Sequence, residues 1–179
     1  APNQPPTARH LLGTDHLGRD VLSRLIYGAR VSIAVGLISQ IIILLIGVPV
    51  GAIAGYFGGR VDQALMRLVD VMYAFPDVLL VIVVMTALRA STRDDDAPAL
   101  LAALARVDDA VGGLLGVFLA LGLTSWLTVA RLVRGEVLRL KHREFVQAAR
   151  VVGASPFRVL RVHILPNAMG PVVVAATLG

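Results

Sequence analysis

Between residues 31 and 59 the chain carries no charged side chain. That stretch is longer than the ~20 residues an α-helix needs to cross the hydrocarbon core of a bilayer. In such a solvent each backbone N–H and C=O must find its partner within the protein, which for a single segment means a helix. Three more runs repeat the pattern. Residues 71–88 are apolar except for Asp77, and residues 110–130 and 164–179 are largely apolar and carry no charge. One such run suits a buried helix of a soluble core; four of them in 179 residues do not. With 56% hydrophobic residues and a mean hydropathy of +0.77 the chain is more apolar than ordinary soluble domains. The expected fold is an all-α, polytopic transmembrane helix bundle. The fourth run is expected to be a span cut short, and both ends to be the boundaries of a fragment.

The cations orient the bundle. Residues 131–163 carry Arg131, Arg134, Arg139, Lys141, Arg143, Arg150, Arg158 and Arg161 against Glu136 and Glu144, which places this loop in the cytoplasm by the positive-inside rule. Alternation then puts residues 60–70, with Arg60 and Arg67, on the same side. Residues 1–30 and the aspartate-rich loop 89–109 fall outside. Arg9, Arg19, Arg24 and Arg30 in the first segment strain the rule, which holds only for the sum over loops.

Within the first run Gly47, Gly51 and Gly55 recur every four residues. They share one helix face, where the missing side chains admit a neighbouring backbone. Pro49 on the same helix removes a donor and is expected to bend it. In the second run Asp77 follows Pro76, and a carboxylate at that depth must face protein or water. It is a candidate for the substrate path, meeting the ammonium of a peptide, or for pairing with an arginine of a partner helix, or it is a structural acceptor at a proline-broken turn. Asp70, seven residues earlier, has Arg67 within one turn as its expected partner.

Catalytic chemistry finds no foothold. The absence of cysteine removes disulfides and thiolate sites. His10, His16, His142 and His163 do not stand at the spacing of a helical metal site, and no hydrolase triad or phosphate loop occurs. The chain is expected to be non-catalytic, with no cofactor of its own.

The informative segment is residues 135–167, GEVLRLKHREFVQAARVVGASPFRVLRVHILPN. Residues 144–152 read as a short helix with Phe145, Ala148, Ala149 and Val152 on one side, and Gly153 supplies a left-handed residue to end it. Ser155 caps a second helix with Pro156 at its first position. That helix carries Phe157, Leu160 and Ile164, and the apolar face of Phe157 and Leu160, flanked by Arg158 and Arg161, calls for a partner. A DNA-binding helix-turn-helix also spaces residues as Ala149, Gly153 and Val159 are spaced. Here, however, the second helix runs straight into Leu165-Pro166 and an apolar run, which leaves no third helix for a soluble core.

Gln147, Ala148, Ala149, Gly153, Leu165 and Pro166 together resemble the cytoplasmic E-A-A-x3-G-x9-I-x-L-P loop of permeases in binding-protein-dependent ABC importers. Gln147 stands in place of the motif's glutamate and His163 in place of its isoleucine. Residues 10–32, HLLGTDHLGRDVLSRLIYGARVS, and 69–80, VDVMYAFPDVLL, are similar to the dipeptide, oligopeptide and nickel branch of that family. The resemblance implies a type I importer permease of six spans, about four of them present, in a bacterial or archaeal cytoplasmic membrane. It implies a path for di- or oligopeptides, or alternatively for nickel or another small solute. Its partners would be a second, similar permease, two cytoplasmic subunits that bind ATP and magnesium, an extracytoplasmic solute-binding protein and membrane lipid, with no nucleic acid. The coupling loop would comprise Gln147, Ala148, Ala149, Gly153, Ser155, Pro156, Phe157, Arg158, Leu160, Arg161, Leu165 and Pro166. An unrelated transporter or channel needs only the four spans and the basic loop, without this motif.

Overall fold

The computed structural model describes residues 1–76 and 112–178, and between them 78–80, 82–83, 86, 98, 103–104 and 106–108. Asp77, a third of the apolar run 71–88 and most of the acidic loop 89–109 lie outside the described residues. The chain divides into two compact units, Ala1–Ile38 and Ser39–Gly179.

The first unit is a hydrogen-bonded coil that leads into helix α1, Val21–Phe57. Thr14 is its buried centre: its hydroxyl donates to the Ala1 carbonyl and accepts from the Gln4 N–H, each at 2.8 Å. Asp15 accepts from the N–H groups of Leu17 and Arg19 and pairs with Arg24. Asp20, just ahead of α1, takes the free N–H of Ser23 at 2.8 Å and its hydroxyl at 2.6 Å, satisfying a donor that the first helical turn leaves unpaired. These contacts start the helix ten residues before the uncharged run does, at Val21 rather than Val31. The first part of α1 therefore includes some of the segment read as external.

In the second unit α1 continues unbroken through Pro49 to Phe57. Gly58 and Gly59, with φ of 66° and 53°, reverse the chain in a conformation that costs other residues ~1–2 kcal/mol each. Helix α2, Gly59–Tyr73, follows directly, so residues 60–70 are helical rather than a simple loop. Helix α3, Leu115–Leu140, is central to this unit. Its buried Trp126, Ala130, Val133, Val137 and Leu140 recur at steps of four and three residues, the spacing of one helix face. Helix α4, Glu144–Val151, comes next. The chain then runs without interruption through α5, Pro156–Arg158, a π-helical turn at Val159–Ile164, and α6, Leu165–Leu178.

Gly47, Gly51 and Gly55 pack on α3. A methyl group on Gly47 would lie 2.9 Å from the Trp126 carbonyl oxygen and from Val129, and one on Gly55 2.8 Å from the Arg134 carbonyl oxygen and 2.9 Å from Val137. Gly51 meets the Ala130 carbonyl and Val133 more closely still. Each step of four along α1 is matched by a step of four in the same sense along α3, so these helices run parallel. Residues of α2 meet α3 in the opposite order: Asp62 with Arg134, Asp70 with Arg131, Tyr73 with Thr128. Helix α2 therefore begins the return that a parallel α1 and α3 demand.

Among the described residues three helical stretches are long and apolar enough to cross a membrane: Val21–Phe57, Leu115–Leu140 and Pro156–Thr177. The 37 residues of α1 are more than the ~20 that a hydrocarbon core requires.

Candidate functional site

The ends of α1, α2 and α3 are clasped by charge at one side of the bundle. Arg134 forks onto both carboxylate oxygens of Asp62 through Nε and Nη2, the planar two-point geometry that favours arginine over lysine. Lys141, at the end of α3, donates from Nζ to the Gly55 carbonyl at 3.0 Å, covering an acceptor near the C-terminus of α1 where the helix dipole favours a cation. Asp70 pairs with Arg131 at 2.6 Å, a correction to its expected pairing with Arg67. Its partner lies 61 residues away in sequence, beyond what spacing along one helix predicts. The Arg131 guanidinium also sits 4.2 Å from the centre of the Tyr73 ring.

The α4 to α6 segment is built on this clasp. Helix α4 is tied to the end of α1 by Arg150, whose guanidinium stands 5.5 Å from the centre of the Tyr56 ring, within reach of a cation–π contact. Val146 is fully buried and Ala149 packs against the same core. Phe145, Ala148, Ala149 and Val152, expected on one side of this helix, all line one groove, and Phe145 and Val152 are exposed in it. Glu144, Gln147 and Arg150, three residues apart, form the polar stripe of α4, and Val146 turns inward from the other side.

The bend is local chemistry. Gly153 has φ of 87°, its N–H bonds to the Arg150 carbonyl at 2.9 Å, and the Ala154 N–H bonds to the Ala149 carbonyl at 3.0 Å, a glycine-ended helix terminus. The Ser155 hydroxyl accepts from the Arg158 N–H, and Pro156 takes the first helical position, where its missing donor costs nothing. Beyond the bend Val159, Leu160 and Ile164 turn inward. Leu160 is therefore part of the core and not of an outer face with Phe157. What the bend leaves outside is Val151, 87% exposed, Val152, 88% exposed, and Phe157, 70% exposed. Gln147, Ala148, Arg143, Arg150, Arg158 and Arg161 are exposed around them. A groove between the two arms is lined by Phe145, Ala149, Val152, Gly153, Arg158 and His163.

The structure thus brings together Gln147, Ala148, Ala149, Gly153, Ser155, Pro156, Phe157, Arg158 and Arg161 on one projecting bend, while Leu160 and Leu165 pack toward the bundle. Val151, absent from that set, is among its most exposed members. No His, Asp or Glu cluster suited to a metal occurs among the described residues. The bend is basic and carries apolar side chains at its tip.

Residues 47–179 match the family described as binding-protein-dependent transport system inner membrane component. The chain is 42% identical over 176 residues to the dipeptide transport system permease protein DppC of Bacillus subtilis, covering 98% of this chain and 48% of the relative. It is 40% identical to the oligopeptide transport system permease protein OppC of the same organism, covering 98% and 50%. With the nickel transport system permease protein NikC of Escherichia coli the identity is 37%, covering 97% and 54%. The chain spans about half the length of the curated relatives it matches.

Proposed function

Since this chain belongs to the family of binding-protein-dependent transport system inner membrane components, we propose that it is the part of an importer permease that lines a path for di- or oligopeptides and receives the stroke of ATP-binding subunits. Peptide is favoured over nickel because most of the similar relatives are named for peptide transport. In this reading a second, similar permease completes the path and a solute-binding protein delivers to it from outside. Two cytoplasmic subunits bind and hydrolyse ATP with magnesium, and this chain contributes no catalytic group.

The observation that carries the reading is the bend at Gly153. It leaves Val151, Val152 and Phe157 exposed at its tip, apolar side chains that suit a partner's surface. Its arms are anchored inward by Val146, Val159 and Ile164, so a push on the tip is delivered to α3 and α6 and is not absorbed by a loose loop. Arg158 and Arg161 beside Phe157 suit acidic groups on the partner's rim.

The test is made in the full-length permease within its complex. Gly153→Val places a β-branched residue at positive φ, a conformation costing ~1–2 kcal/mol, and Phe157→Asp places a charge at the apolar tip. Each is expected to abolish solute uptake and to release the ATP-binding subunits or uncouple their hydrolysis from solute. Retention of those subunits and of solute-stimulated hydrolysis in both variants would show the bend to be idle.

A further inference from the structure

We propose that Pro166 is a positioning residue: by enforcing the π-helical turn at Val159–Ile164 it fixes the angle at which the Phe157–Arg158 tip is presented relative to α6. The proposal rests on the reading of this bend as the coupling element.

In an α-helix residue 166 would donate its N–H to the Val162 carbonyl. Proline has no N–H, and its ring crowds the carbonyl four residues back. The chain responds one residue ahead of the proline. The Leu165 N–H bonds to the Leu160 carbonyl, five residues back, and the six residues Val159–Ile164 take up the wider winding. The Asn167 side-chain amide donates to the His163 carbonyl at 2.8 Å, covering an acceptor where the winding returns to α.

Burial reflects the same change of pitch. At about 100° per residue, α-winding would spread Val159, Leu160 and Ile164 over roughly 140° of the helix surface, a broad arc that leaves its outer members at the edge of a core-facing stripe. Wider winding turns less per residue and draws them together, and all three are buried. Phe157, on the far side of the π turn, is left pointing out. A π turn accommodates about one residue more than an α turn, so residues before it are rotated by about 100° from where continuous α-winding would put them. That rotation decides whether Phe157 and Arg158, or some other pair, face a partner.

The experiment uses the full-length permease in its assembled complex, with single cysteines in a cysteine-free background. Pro166→Ala is expected to let the turn relax to α, so that Leu160→Cys, protected in the parent, reacts several-fold faster with a thiol reagent. Ala168→Cys in α6, buried in the structure, stays protected, which separates rotation from unfolding. Uptake falls at least tenfold. Removing Val162 from the Pro166→Ala variant takes out one residue's worth of rotation, and both the protection of position 160 and uptake return. Continued protection of Leu160→Cys in the Pro166→Ala variant overturns the proposal, as does a failure of the Val162 deletion to restore it. If protection shifts and returns as stated while uptake never changes, the angular role of Pro166 stands and the coupling reading of the bend is what falls.

Discussion

Gly51 and Val133 occupy what would otherwise be one side chain's space: a Cβ on Gly51 would approach Val133 Cβ to 2.9 Å while meeting the Ala130 carbonyl even closer. Backbone, not a mobile side-chain end, is in the way, so the clash is relieved only by separating α1 from α3. Gly51→Ala is expected to destabilise the folded protein by about 1–3 kcal/mol, the usual range for overpacking, despite alanine's better helix propensity. Gly135→Ala on α3, with nothing within 4 Å, is expected to be neutral or to stabilise by up to about 1 kcal/mol. Thermal unfolding in detergent orders the two variants, and equal effects would mean that the α1–α3 contact is looser than described.

The clasp between α2 and α3 is unequal along its length. Asp62 and Arg134 are shielded, with side chains 15% and 34% exposed, whereas Asp70 and Arg131 are largely in the open. A double-mutant cycle with Asp62→Asn and Arg134→Gln is expected to give a coupling of about 1–2 kcal/mol, in the range of hydrogen bonds to charged groups. The same cycle on Asp70 and Arg131 should return less than about 1 kcal/mol, as exposed pairs do. A larger coupling for the second pair contradicts the geometry.

Acid is expected to loosen the entry to α1. The Arg19 N–H, then that of Leu17 and the Arg24 side chain, hold the Asp15 carboxyl below the usual carboxylate range, and the Ser23 hydroxyl and N–H do the same for Asp20. A carboxyl with a lowered folded pKa adds stability that is complete above its unfolded value and lost as pH falls through the folded one. Hydrogen exchange at the amides of Leu17, Arg19 and Ser23, corrected for intrinsic rates, should therefore be flat from pH 7 down to about 4 and rise only below that. Loss of protection between pH 6 and 7 would place the switch elsewhere.

Sidedness is open to a direct check. Single cysteines at Ser91 and His142 of the full-length protein are expected to differ: Ser91→Cys reacts with an impermeant reagent in intact cells, and His142→Cys only after lysis. Equal reaction in intact cells is incompatible with the parallel course of α1 and α3 and a cytoplasmic bend.

What the sequence made legible was whatever depends on near neighbours. The spacing of Gly47, Gly51 and Gly55 announced a close helix contact, and Gly153, Ser155 and Pro156 announced the bend, because φ, capping and a missing donor act within a few residues. What required the structure depends on distance or pitch. Arg131 reaches Asp70 from another helix, so the nearer Arg67 was the natural but mistaken choice. Val146, which the sequence did not single out, is the residue of α4 that faces inward. Leu160 escaped the 3.6-residue pattern because the helix there is not wound at 3.6 residues per turn; the proline at 166 was the only hint of it.

The outward bend also bears on the life of the protein before assembly. Val151 and Val152, at 87% and 88% exposed, are an apolar tag displayed on a basic loop by any copy still waiting for a partner. Chaperones and proteases read such tags, and small shifts in how long they stay displayed change abundance several-fold. An orphaned permease should therefore be degraded faster than an assembled one. Deleting the genes for the ATP-binding subunits should lower its steady-state level, and Val151→Ser with Val152→Ser should restore that level without restoring uptake.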